Sequence, residues 1–178
     1  QDGVFPLVAV AEGKGAQGFA VVRTGGGAAP APTVMPAELA APPLTVADLR
    51  ATEAARLPVL DPAVTLEASL GGDMKAYSWT VNGQPYPDHT PLSVHSDQRV
   101  RLVYTNKTMM WHPMHLHGHT FAVARIDGSG PRKDTVIVLP GQTVAADIDT
   151  TNPGQWITHC HNDYHLAAGM ASIFSYVG

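Results

Sequence analysis

The sequence predicts an all-β protein, a Greek-key β-sandwich preceded by an N-terminal hairpin and a Pro/Ala-rich linker. From residue 62 onward, short segments alternate apolar with other side chains, which is the pattern of half-buried strands. Clusters of Gly, Pro, Asn and Asp separate these segments at the spacing typical of β-sandwiches. The 178 residues, 44% hydrophobic and 15% charged, suit one globular domain with additional segments.

The first predicted element is the hairpin, in residues 1–27. Apolar runs at 4–11 and 18–22 flank Glu12-Gly13-Lys14-Gly15, and this glycine-containing turn favours two antiparallel strands. A two-stranded hairpin is marginally stable alone, so we expect it to pack on further structure.

The linker follows in residues 28–61. Its Pro and Ala content favours extended, semi-rigid conformations. Within it, residues 45–53 are predicted to form a short helix that ends by Pro58.

The sandwich itself is predicted in residues 62–178. The dipeptide Asn82-Gly83 is a strong hairpin signal, because both residues accept positive φ. The predicted strands, in chain order, are 64–70, 77–81, 98–105, 120–126, 134–139, 143–148, 155–161 and 170–176. In such a fold, functional residues lie on loops at one end of a rigid scaffold.

Charge and targeting signals narrow the function classes. A net charge of -4 gives no electrostatic reason to expect nucleic acid or an anionic membrane as a partner. No apolar run reaches the roughly 18 residues of a membrane-spanning helix. The start at Gln1 shows no basic region followed by an apolar core, so we expect no signal peptide in this chain. The single cysteine, Cys160, excludes an internal disulfide and is better explained by a metal.

Residues 159–170 contain that cysteine, three histidines and a methionine. In an extended segment, Cys160 points to one face while His159 and His161 point to the other. His165 and Met170 follow after a turn, which brings them back toward the sulfur. Thiolate, imidazole and thioether are ligands that suit copper, and a trigonal Cys and His site with a weak axial Met is the blue-copper arrangement.

The second imidazole of such a site is expected from the other histidine cluster, residues 112–119. His115 and His117 share a face of an extended segment. His112 precedes a proline, which favours extended geometry at His112, and its side chain is free to point toward Cys160. His119 is expected to be either a residue that contacts the ligands without binding metal or a core histidine. Zinc is the alternative metal for a Cys/His set, although zinc sites rarely use a residue such as Met170.

These paired motifs closely resemble those of the C-terminal cupredoxin domain of multicopper oxidases, the laccase-like family, from about Leu66 to the chain end. The resemblance implies a cupredoxin-like fold for residues 62–178. It implies that the type 1 copper ligands are His112, Cys160, His165 and Met170. It implies that His115 binds the type 2 copper and that the type 3 ligands are His117, His159 and His161. It also relates residues 1–27 to the last hairpin of a preceding cupredoxin domain; a hairpin docked on its own domain is the alternative.

The implied activity is oxidation of a small reducing substrate, phenolic or a metal ion, coupled to reduction of dioxygen to water. Single electrons would enter through an exposed edge of His165 or His112. Cys160 would pass them to His159 and His161, which makes these three the catalytic residues. An extracytoplasmic location, periplasmic or secreted, is also implied by the family.

The sequence departs from the family in lacking two further His-x-His motifs that an N-terminal cupredoxin domain supplies. Outside the clusters the histidines are His89 and His95, each alone. The implied partner is therefore that N-terminal domain, or a second copy in a two-fold homodimer. An isolated blue-copper electron-transfer protein, or a copper-binding or copper-tolerance module without oxidase turnover, remains the alternative function.

Overall fold

The structure is a computed structural model that describes residues 2–11 and 13–178. The chain divides into two compact units, Gln1–Leu44 and Thr45–Gly178, and the boundary falls within the predicted linker. In the described part of the chain, no helix is both long enough and apolar enough to cross a membrane.

The first unit contains the predicted hairpin. Strands β1 (Val4–Val10) and β2 (Gln17–Arg23) pair antiparallel along their full lengths. Gly13 and Gly15 adopt positive φ in the turn, as the glycine signal predicts, while Glu12 lies outside the described residues.

The helix predicted at residues 45–53 is wrong. Two short 3-10 turns occur instead, at Ala37–Ala40 and Glu53–Ala55. The backbone N–H and the hydroxyl of Thr45 both donate to Asp48 Oδ2 at 2.8 Å. Thr and Asp side chains that bond nearby backbone in this way compete with helix formation, so the segment forms an isolated turn.

The second unit consists of eleven strands and one short helix. In chain order these are β3 (Val64–Asp73), β4 (Ser78–Val81), β5 (Leu92–Val94), β6 (Arg99–Asn106), β7 (His112–Leu116), β8 (Phe121–Val123), β9 (Arg132–Lys133), β10 (Thr135–Val138), β11 (Thr143–Asp149), β12 (Gln155–Cys160), α1 (Asp163–Ala167) and β13 (Ala171–Tyr176).

These strands form two sheets. One has the order β4-β3-β6-β11-β8-β9 and the other β10-β7-β12-β13-β5. Pairing is antiparallel except between β3 and β6 and between β5 and β13. The strand orders also show that many neighbouring strands are distant in sequence. The predicted all-β Greek-key sandwich is confirmed.

The core of this unit is built from alternate side chains of the strands. On β6, for example, Val100, Leu102 and Tyr104 are fully buried while the residues between them are partly exposed. The Tyr104 hydroxyl, deep in this core, pairs with Thr158 on β12 at 2.8 Å, so its burial is compensated by a hydrogen bond.

The Asn82-Gly83 hairpin turn is also confirmed. Both residues have positive φ, 54° and 78°. Val81 and Gln84 exchange two backbone hydrogen bonds of 3.1 Å across the turn, which is the two-residue geometry expected for this dipeptide.

Candidate metal centre

Both histidine clusters lie on neighbouring strands of the five-stranded sheet. Strands β7 and β12 are antiparallel, with His159 opposite His115 and Cys160 opposite Met114. Helix α1 follows β12 at once and carries His165. Its first turn is capped by Asn162, whose side-chain oxygen accepts the Tyr164 N–H at 3.1 Å. The register of two strands and one capped turn therefore brings the clusters to the same end of the sandwich.

A buried group is formed by His112, Cys160 and His165. The two Nδ1 atoms are 3.0 Å apart, and Cys160 Sγ lies 3.7 Å from His112 Nδ1 and 3.6 Å from His165 Nδ1. Metal bonds of about 2.0–2.3 Å set at 120° would separate such ligand atoms by about 3.5–3.7 Å. The sulfur–nitrogen distances match, and the nitrogen–nitrogen distance is about half an ångström shorter. The three side chains fit one trigonal metal ion.

The charge state of this group suits a cation. Burial raises the pKa of the Cys160 thiol to about 11. Burial, with a smaller effect of neighbouring His165, lowers the pKa of His112 to about 4, and burial also lowers the pKa of His165. The metal-free group therefore holds a thiol and two neutral imidazoles at neutral pH, and a bound metal would displace the thiol proton.

Met170 is held beside this group by its backbone. Its N–H donates to the His165 carbonyl, and its own carbonyl accepts the Cys160 N–H, both at 3.0 Å. Its side chain is fully buried. The adjacent Gly169 has a φ of +112°, and a Cβ there would come within 2.6 Å of the Trp79 carbonyl oxygen, so the close approach of these segments requires glycine.

Trp79, which was not predicted as part of the site, covers both imidazoles of the buried group. Its ring centroid lies 4.3 Å from that of His165 and 5.2 Å from that of His112. Gly72, opposite Trp79 across β3 and β4, leaves room for the indole, because a Cβ at this position would lie 2.3 Å from a ring carbon. A glycine in a strand interior facing an aromatic residue was the available signal.

The expected exposed edge on His165 or His112 is wrong, because the two residues are 1% and 0% exposed. His112 is closed off on its outer side, where Nε2 lies 2.7 Å from Thr108 Oγ1. The sequence predicts which residues are ligands. It does not predict that the loop containing Thr108 and the indole of Trp79 cover them.

A second group, nearer the surface, contains His115, His117 and His159. Their candidate ligand nitrogens all lie within 4.8 Å of one another, and the Nε2 atoms of His117 and His159 are 3.0 Å apart. His161 lies beyond the end of β12, with its ring centroid 5.7 Å from that of His115 and 5.8 Å from that of His159. The structure thus brings three of the four predicted residues together and places His161 beside them.

Backbone carbonyls orient two of these rings. His115 Nδ1 lies 2.7 Å from the Asp134 carbonyl oxygen, and His159 Nδ1 lies 2.9 Å from the Cys160 carbonyl oxygen. Because a carbonyl only accepts, each Nδ1 carries the hydrogen and each Nε2 has a free lone pair for a metal. Burial, followed by neighbouring histidines, lowers the pKa of His117, which favours the neutral ligand form.

The turn after His117 is fixed by packing and hydrogen bonds. Gly118 has a φ of +68°, and a Cβ there would lie 2.4 Å from the Trp156 ring. Asn152 Nδ2 donates to the Gly118 carbonyl at 2.9 Å. His119 Nδ1 donates to the His117 carbonyl at 3.1 Å, and its Nε2 pairs with the Tyr176 hydroxyl at 2.6 Å. His119 therefore supports the His117 turn, in agreement with its predicted role.

Cys160 and His159 connect the two groups. In β12 their side chains point to opposite sides, so Cys160 belongs to the buried group and His159 to the surface group, as the period of two predicts. The groups are joined by one peptide bond. A one-electron centre at the buried group would thus have a bonded path to a centre at the surface group.

The family model and the most similar known proteins point to the same family. The multicopper oxidase family model matches residues 60–177. The chain is 50% identical over 176 residues to multicopper oxidase MmcO of Mycobacterium tuberculosis, covering 98% of this chain and 35% of that protein. It is 37% identical over 111 residues to copper resistance protein A of Pseudomonas syringae pv. tomato, covering 62% of this chain and 18% of that protein.

Solved structures of the same family share the fold. McoA multicopper oxidase of Aquifex aeolicus aligns over 69% of this chain and 31% of its own, with a TM-score of 0.58 and 29% identity. A multicopper oxidase of Campylobacter jejuni aligns over 99% of this chain and 41% of its own, with a TM-score of 0.64; at 17% identity this shows the fold alone. The chain spans about a third of the length of the M. tuberculosis relative.

Proposed function

Since the chain belongs to the multicopper oxidase family, whose cofactor is copper, we propose that it is the C-terminal copper domain of a longer oxidase. In this proposal His112, Cys160 and His165 bind the type 1 copper, with Met170 in the axial position. The observation that carries it is the convergence of one buried sulfur and two Nδ1 atoms within 3.7 Å. Copper bound there would supply one-electron redox chemistry.

The buried group would accept electrons through His165. His112 is blocked on its outer side by Thr108, whereas His165 Nε2 has no hydrogen-bond partner among the described residues. Its ring is 1% exposed, so a donor would pass the electron to His165 without direct access to the copper. Trp79 packs against the ring of His165 and holds its plane, so the orientation of the residue through which electrons would enter is fixed.

Cys160 would pass each electron on through its own backbone. His159 and His161 are its covalent neighbours, and the ring of His159 already lies in the surface group. We therefore assign the type 2 copper to His115 and the type 3 pair to His117, His159 and His161. His161 would complete the set by a small shift, because its ring lies within 6 Å of both neighbours.

The remaining ligands would come from an N-terminal cupredoxin domain. This is supported by the exposure of His117 and His161, which leaves the surface group open on one side, and by the greater length of the relatives. Residues 1–27 would be the last hairpin of a preceding domain. Its outward apolar side chains, Phe5, Leu7 and Val22, are 43%, 61% and 47% exposed and would be covered by that domain. A second copy of the chain is the alternative source of ligands.

The complete protein would oxidise a small phenolic compound or a metal ion and reduce dioxygen to water, in an extracytoplasmic location. Relatives of the chain include proteins named laccase and copper resistance protein A. The latter name supports the second candidate, a copper-tolerance module that binds copper without turnover. Oxygen uptake by the full-length protein with a phenolic dye or cuprous ion separates the two, since a tolerance module consumes no oxygen.

The type 1 assignment is tested by titrating the metal-free chain with copper(II) and recording the visible spectrum and the copper content. We expect one tightly bound ion at the buried group and an intense visible absorption that Cys160→Ser abolishes. The control His95→Ala, whose ring bonds only the Val177 carbonyl in the described structure, should keep the absorption. A colourless protein that retains zinc against copper would contradict the assignment. Molecular mass in solution, taken with the copper content, tests the second-copy alternative.

A further inference from the structure

The loop between β6 and β7 is organised by one buried amide. Asn106, 1% exposed, donates from Nδ2 to the carbonyls of Met110 and Val138 at 2.7 and 3.0 Å. Its Oδ1 accepts from the backbone N–H and from the hydroxyl of Thr108 at 2.8 and 2.9 Å. With two carbonyls on one side and an N–H on the other, the orientation of the amide is determined.

The Thr108 hydroxyl has four hydrogen-bonding neighbours. Asn106 Oδ1 and the Met110 carbonyl lie 2.9 and 3.1 Å away, the Met110 N–H donates to Oγ1 at 3.2 Å, and His112 Nε2 lies 2.7 Å away. The two oxygens only accept, so the single hydroxyl hydrogen is directed to them; turned elsewhere, the hydroxyl would face them with lone pairs alone. One lone pair of the hydroxyl oxygen accepts the Met110 N–H, and the other is free to accept a hydrogen from His112.

This arrangement determines the state of the imidazole. His112 carries its hydrogen on Nε2 and leaves the Nδ1 lone pair directed at Cys160 Sγ and His165 Nδ1. The ring is fully buried, so water cannot replace Thr108 as the hydrogen-bond partner.

We propose that Thr108, held by Asn106, is a positioning residue that fixes His112 in the Nε2–H tautomer and holds its Nδ1 ready for the type 1 copper. The tautomer is a property of the metal-free chain, whereas its consequence for copper rests on the proposed function. Hydrogen-bond partners that orient a metal-binding histidine typically change metal affinity by about 10–100-fold when removed.

The first test uses the metal-free chain and ¹H–¹⁵N spectra of its histidine side chains. We expect His112 to show one exchange-protected hydrogen on Nε2 in the wild type and in Thr108→Ser, which keeps the hydroxyl. In Thr108→Val, which keeps the shape, that hydrogen should no longer be confined to Nε2 and should also appear on Nδ1. A wild-type hydrogen on Nδ1, or a Thr108→Val spectrum with the hydrogen still on Nε2 alone, overturns the proposal.

The second test titrates the same variants with copper(II). Thr108→Val should bind about 10–100-fold more weakly, and Thr108→Ser should stay within a few-fold of the wild type. The matched control is Thr105→Val, because Thr105 pairs at 3.3 Å with exposed Thr143, away from His112. If the wild type shows no blue site, the copper assignment fails while the spectra still decide the tautomer. If Thr108→Val binds copper like the wild type, the positioning role fails and the copper assignment stands.

Discussion

The substitution Gly118→Ala offers a sharp test of how the surface histidine group is held. Gly118 directly follows His117 and adopts a φ of +68°, and a Cβ there would lie 2.4 Å from the Trp156 ring. The indole cannot move freely, because its Nε1 donates to the Asn152 carbonyl at 2.8 Å and its ring packs against His119. Alanine must therefore displace the indole or the turn.

The expected cost has two parts. Left-handed backbone costs a residue other than glycine about 1–2 kcal/mol. Forcing an extra methyl into a packed contact costs about 1–3 kcal/mol more. Gly141 supplies the matched control, because its φ is +70° and no atom lies within 4 Å of its Cβ position. Gly141→Ala should lose only the first part, and Gly118→Ala about 2–5 kcal/mol in total.

The free energy of unfolding is measured by urea denaturation of the metal-free chain, at one pH for both variants. The buried-group ligand on β7 is His112, at the opposite end of that strand from Gly118, so Gly118→Ala should keep the blue absorption of copper-loaded protein while it lowers stability. Equal losses for the two variants would refute the packing of Trp156 over Gly118. Loss of the blue absorption in Gly118→Ala alone would refute the independence of the two groups.

Three further predictions follow from the buried group. Because Cys160 is buried and burial raises its pKa to about 11, iodoacetamide should alkylate it slowly at pH 8 in the folded metal-free chain and rapidly in urea; equal rates would contradict its burial. The metal-free chain should lose stability as the pH falls from about 6.5 toward about 4, since unfolded His112 takes up a proton that the folded residue refuses, and His112→Gln should flatten this slope of urea midpoint against pH. Gly72→Ala should place its methyl against the Trp79 ring, lower stability by about 1–3 kcal/mol and weaken copper(II) binding; an unchanged titration would exclude Trp79 as a support of the imidazoles.

Much of the fold was predictable because its signals are local. Alternation of side chains marks the long strands, and Asn82-Gly83 determines its turn by tolerating positive φ at two successive positions. Strands β5, β7 and the two-residue β9 were not predicted as such. Strand β5 has three residues and offers too short a pattern. Strand β7, His112–Leu116, carries a proline and polar ligands in place of an apolar pattern, so it forms by pairing with β10 and β12.

The site was predictable in its chemistry but not in its surroundings. A lone cysteine between two histidines indicates ligands whatever the fold, and a period of two separates Cys160 from His159. Thr108 and Trp79 carry no such signal, because a threonine in a loop and a tryptophan in a strand have many common roles. Thr108 acts locally, through the loop that leads to His112, whereas Trp79 lies 86 residues before His165 and reaches it only when distant strands meet. The helix predicted at 45–53 fails for a local reason, the Thr45–Asp48 turn.

The most direct measurement is a crystal structure of the copper-loaded chain with anomalous data collected at the copper absorption edge. We predict one strong copper peak bonded to Cys160 Sγ and to the Nδ1 atoms of His112 and His165, inside the sandwich beneath Trp79. A copper peak elsewhere with no density among these three atoms, or coordination of either imidazole through Nε2, would contradict the assignment of this buried group as the type 1 site.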